Sequence, residues 1–78
     1  MPTVLRIGPY RLFFFSNEGA EPAHIHIEAD DRLAKFWLEP VACCESIGFS
    51  AKELGVIARI VDEHRETCLR RWHEHHGR

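Results

Sequence analysis

The sequence predicts a small α+β domain in the order β-β-β-β-α: two β-hairpins forming an antiparallel sheet, with one long C-terminal helix packed on one face. Three observations carry this. The chain up to Pro40 holds apolar runs interrupted by turn chemistry at Gly8-Pro9 and Asp30-Asp31. His24 to Glu28 alternates polar and apolar side chains with the period of two that a half-buried strand requires. From Ser50 onward apolar residues recur at spacings of three and four, as on a helix with one buried stripe. A chain of 78 residues has room for one modest core. Residues 1–78 therefore form a single domain, with the hairpins in 1–40, a connector in 41–49 and the helix in 50–76.

Thr3 to Ile7 and Tyr10 to Phe15 are rich in β-branched and aromatic residues, and Gly8-Pro9 between them makes the first hairpin turn. Ser16 to Ala23, with Asn17, Gly19 and Pro22, reads as a loop. A two-residue turn at Asp30-Asp31 sets Ile25 opposite Phe36 and Ile27 opposite Ala34, so both strands turn apolar side chains to one face. A shift of one residue would mix the faces. Pro40 stops the second run, Leu33 to Leu38. Ser50 followed by Glu53 is a capping box, each side chain reaching the other's backbone amide. Leu54, Ile57, Ala58, Val61, Cys68, Leu69 and Trp72 then form the stripe, and Gly77 ends it.

Composition narrows the function. A formal net charge of −2, from ten Lys and Arg against twelve Asp and Glu, excludes a protein that coats nucleic acid by bulk positive charge. The longest apolar run, Leu12 to Phe15, is far short of the ~20 residues of a membrane span. The first residues lack the pattern of a signal peptide, so a cytoplasmic protein with no membrane partner is expected. Three cysteines, at 43, 44 and 68, make an odd count without a disulfide framework and are read as reduced, structural thiols. A chain this small is marginal alone, which favours a partner subunit, including a homodimer.

The same register brings a second set of residues together on the other face: Arg6 beside Arg11, His26 opposite Lys35, His24 opposite Trp37, and Glu28 opposite Leu33. If the helix leaves that face open, Arg6, Arg11, His24, His26, Lys35 and Trp37 make a basic, partly aromatic surface on a net-negative protein. Three readings compete for it. Histidines two apart on a strand stand ~6 to 7 Å apart and suit a metal clip, but zinc needs a third protein ligand and the cross-strand neighbours, Lys and Trp, do not supply one. No metal or other cofactor is therefore assigned, although a small metal-binding protein using His24 and His26 stays as an alternative. The second reading is anion chemistry. Imidazoles can give and take a proton near neutrality while Arg11 and Lys35 hold a phosphate, the parts needed for metal-independent RNA cleavage, and Trp37 can stack a base. The third is a solvated sheet face with no chemistry. Trp37 favours an interface of some kind, because exposed tryptophan is uncommon. The tail His73-Glu74-His75-His76 reads as an exposed helix end whose histidines suit the C-terminal dipole.

Met1-Pro-Thr-Val4, Tyr10-Arg-Leu-Phe-Phe-Phe-Ser16, Glu21-Pro-Ala-His-Ile-His-Ile27, Ala34-Lys-Phe-Trp-Leu38 with Pro40, Gly48-Phe49-Ser50 and Trp72-His-Glu74 occur in this order. Together they resemble a family of small bacterial proteins, a domain of unknown function designated DUF4160, over nearly the whole chain. The resemblance implies one half of a two-gene toxin and antitoxin module, beside a second small domain designated DUF2442, with this chain as the toxin; joined to the anion-chemistry reading of the face, the leading expectation is a toxin acting on RNA. It places His24, His26, Lys35 and Trp37 in family motifs and adds Trp72 and Glu74 to Arg6 and Trp37 as binding residues. The sequence departs from the family's pattern between Val41 and Ile47, where the two adjacent cysteines stand. The rival from another class is a noncatalytic module that holds its partner protein through the same face.

Overall fold

Gly8 and Asp30 each take a left-handed backbone conformation, with φ of 56° and 58°, and each opens a two-residue turn that reverses the chain. The computed structural model describes residues 3–15 and 20–77. Five strands, β1 (Thr3–Ile7), β2 (Tyr10–Phe13), β3 (His24–Ala29), β4 (Arg32–Leu38) and β5 (Val41–Ile47), precede two helices, α1 (Ala51–Glu63) and α2 (Arg65–His76). The strands form one antiparallel sheet in the order β1-β2-β3-β4-β5. Residues Ser16 to Gly19 of the expected loop lie outside the described residues.

The α+β class holds, and every expected cross-strand pair of the two hairpins is present: Arg6 with Arg11, Ile25 with Phe36, Ile27 with Ala34, His26 with Lys35, His24 with Trp37 and Glu28 with Leu33. Alternation works here because one face is buried, so a slip would expose the isoleucines. Leu12, Ile25, Ile27, Ala34, Phe36 and Leu38 line that face and pack with Ile57 and Val61 of α1 and Cys68 and Trp72 of α2.

Two expectations are corrected. The supposed connector 41–49 contains β5, which leaves β4 through a turn at Glu39-Pro40 and pairs back along it. As the outer strand it is exposed from Ala42 to Ile47. With one face uncovered and no neighbour beyond it, its side chains have no reason to alternate between apolar and polar. The single long helix is in fact two, meeting at His64. There the His64 amide bonds to the carbonyls of Ile60 and Val61, and its Nδ1–H donates to the Ile60 carbonyl at 2.9 Å. Side-chain bonding to the preceding turn competes with the helical ladder and bends the chain. Arg65 then donates to the carbonyl of Leu38 at 2.8 Å, fastening the start of α2 to the end of β4.

At the start of α1, Ser50 Oγ accepts the Glu53 amide as the capping box requires. The reciprocal half is different. Glu53 turns its carboxylate to the sheet, accepting from Tyr10 Oη at 2.8 Å and from Arg32 Nη1. Gly48 allows the entry to the helix: its φ is 89°, and a Cβ there would lie 2.8 Å from Arg32 Cγ. Gly77, with φ of 71°, closes α2 as expected.

Candidate functional site

Alternation along β2 sends Leu12 and Phe14 to the core and Arg11, Phe13 and Phe15 to the opposite side. On that second face β3 presents His26. Its imidazole is sandwiched by the two phenylalanines, stacked on Phe13 at 5.5 Å between centroids and edge-on to Phe15 at 4.7 Å. His24 meets His26 at 5.2 Å and Trp37 at 5.8 Å, and it reaches the core, 4.7 Å from Trp72. Its Nδ1–H donates to the carbonyl of Pro22 at 2.9 Å. Both histidines are buried, His24 completely and His26 with 7% of its surface left. The histidine pair of the strand is thus the middle of an aromatic cluster, and the expectation of an open face fails at these two positions. Apolar rings on β2 and α2 close over them.

Two cations on this face are matched by carboxylates. Arg11 donates through Nε to Thr3 Oγ1 and through Nη1 to Glu28 Oε1, both at 2.9 Å, with its guanidinium 4.4 Å from the Phe13 ring centre. Lys35 Nζ donates to Glu21 Oε1 at 2.6 Å and stands 4.8 Å from the Trp37 ring centre. Arg6 is exposed at the rim, where it borders an open depression with Arg11, Glu28 and Asp30. Trp37 is half-buried between His24 and Lys35.

Across β3, β4 and β5 the register sets His26, Lys35 and Glu45 in one row. Beside it is a cavity of about 230 Å³, lined by Phe15, His26, Leu33, Lys35, Glu45 and Ile47. Ile47 is 67% exposed, the most exposed large apolar side chain among the described residues.

The family described as Domain of unknown function (DUF4160) matches residues 10–73. The chain belongs to this family. The DUF4160 match runs from β2 into α2 and takes in His24, His26, Lys35 and Trp37. Comparison with curated proteins and with solved structures gives no significant match.

The remaining site candidates separate. Trp72 is buried in the core against Phe14, 5.7 Å between centroids, and stacks on His76 at 3.9 Å, where it packs α2 onto the sheet. Glu74 is exposed on α2, 3.9 Å from Arg71. Among the described residues no three His, Cys, Asp or Glu side chains gather as metal ligands, and no helix is long and apolar enough to cross a membrane. Sequence reasoning placed Leu33 on this face, opposite Glu28, and missed Phe13, Phe15 and Ile47. Phe13 and Phe15 were accessible from the period of two that starts at Arg11. Ile47 was not, because its strand was not foreseen.

Proposed function

We propose that this DUF4160 chain is the partner-binding component of a small two-protein toxin and antitoxin module in the bacterial cytoplasm, and that it holds its partner protein through the second sheet face. The observation that carries this reading is the apolar margin of that face: Ile47, two thirds exposed, together with Leu33 and Phe15 around the cavity beside His26 and Lys35. Interface centres favour aromatic and apolar anchors set in a pocket with a polar rim, here Glu45 and Lys35. Charge points the same way. With Arg11 matched to Glu28 and Lys35 to Glu21, the face has little excess positive charge to offer a phosphate backbone.

A second reading, RNA cleavage by the toxin, draws support from His26, Lys35 and Glu45 at one cavity, where an imidazole and an ammonium border the same space. One experiment separates the two. The chain is co-expressed with the small DUF2442-type protein expected beside it, and complex formation and total RNA are scored for wild type, Ile47→Glu and His26→Gln. The binding reading predicts that Ile47→Glu loses the complex, that His26→Gln keeps it, and that RNA stays intact throughout. Degraded RNA that His26→Gln protects would move the assignment to the ribonuclease.

A further inference from the structure

Cys43 and Cys44 stand side by side on the outer strand of the sheet, and both are exposed, whereas Cys68 is buried in the core. The strand is irregular there. Lys35 faces Glu45, but the next residue of β4, Phe36, faces Cys43, so Cys44 is the extra residue of a β-bulge. A bulge breaks strict alternation, and neighbouring side chains at it are no longer sent to opposite faces. Cys43 Sγ lies 3.7 Å from the carbonyl oxygen of Glu45, so its side chain stays along the bulged segment.

Adjacency settles which chemistry this pair suits. Consecutive Cα atoms are about 3.8 Å apart, closer than the roughly 4.4 Å lower limit of ordinary disulfides. A direct sulfur–sulfur bond is disfavoured, whereas an ion set between the sulfurs, with metal–sulfur bonds of about 2.3 Å, bridges a wider gap. Hard and borderline ions need three or four ligands, which the described residues do not assemble here. Thiolate pairs select soft ions that accept two ligands, copper(I) above all. We propose that Cys43 and Cys44 form a chelating site for copper(I) on the bulge of β5. Each thiol releases its proton on binding, so one copper(I) ion displaces two protons and leaves a bis-thiolate of charge −1. Exposure on an edge strand gives the ion direct entry without any opening of the fold.

The test is anaerobic titration of the whole chain with copper(I) against a chromophoric copper(I) chelator, with stoichiometry read by native mass spectrometry. The expected result is one copper(I) per chain, at least a tenfold weaker hold in Cys43→Ser and in Cys44→Ser, and none in the double variant. Circular dichroism checks that these exposed substitutions leave the fold intact. As a second reading of the same pair, phenylarsine oxide should block both thiols at one equivalent per chain. Copper retained by the double variant would assign it to other ligands, with the tail histidines foremost. One copper per two chains would mean a bridge between molecules, and no binding by wild type would remove the site. Any of these three results overturns the proposal.

Discussion

Replacing Trp72 with alanine should come close to unfolding the domain. The indole is 1% exposed and packs on Phe14, His24 and His76. It is the largest side chain buried where α2 meets the sheet. Truncating a buried tryptophan costs about 3 to 5 kcal/mol through lost burial and the cavity left behind. A chain of 78 residues has, at roughly 0.05 to 0.15 kcal/mol per residue, only about 4 to 12 kcal/mol in total. The variant should therefore lose between a quarter and all of its stability. Urea unfolding followed by circular dichroism reads this directly as a lower midpoint with little change in slope. A loss below about 1 kcal/mol, the range of surface substitutions, would refute the placement of Trp72 in the core.

Gly48→Ala should destabilise by more than about 1 kcal/mol, because its positive φ strains an L residue and the new methyl meets Arg32; urea unfolding measures it. Ser50→Ala removes the cap that accepts the Glu53 amide and should cost about 1 kcal/mol in the same assay. Tyr10, the chain's one tyrosine, has its phenol pKa raised, first by the hydrogen bond to Glu53 and then by burial. The native state thus keeps this proton longer than the unfolded chain. Its stabilisation is complete below about pH 10 and is lost as pH rises through the higher native value; ultraviolet titration should show that value falling back in Glu53→Gln. Burial pushes the Cys68 thiol up to about 11, so a thiol reagent at neutral pH should label Cys43 and Cys44 in the folded protein and Cys68 only after denaturation.

The hairpin registers could be read from the sequence because one face of each strand is buried. Ile25 and Ile27 can face Phe36 and Ala34 in only one alignment, and that alignment also fixed which residues share the second face. What the alignment could not tell was how much of the second face is covered. His24 looks polar in a period-two pattern, yet rings from separate elements enclose it: Trp37 on β4 and Trp72 on α2. No local signal records such long-range packing. β5 escaped notice for the opposite reason, since an edge strand with little to bury carries no alternation. The break at His64 lacks Gly or Pro, and the stripe from Val61 to Cys68 advances by seven residues, two full turns, so an unbroken helix fits it equally well. The partners of Lys35 and Arg11 were half legible. Glu28 lies beside Arg11 across β2 and β3, but Glu21 reaches Lys35 from a loop whose course no pattern defines.

The central claim is that the second face of the sheet holds a protein. Its most direct test is the affinity of the purified chain for the DUF2442-type protein, compared between wild type and Trp37→Ala by calorimetry, with the fold verified in both. An anchor residue of an interface costs at least about 2 kcal/mol when truncated, so the dissociation constant should rise by about thirtyfold at 25 °C. An affinity within threefold of wild type would contradict the claim and leave Trp37 as a packing partner of His24 and Lys35.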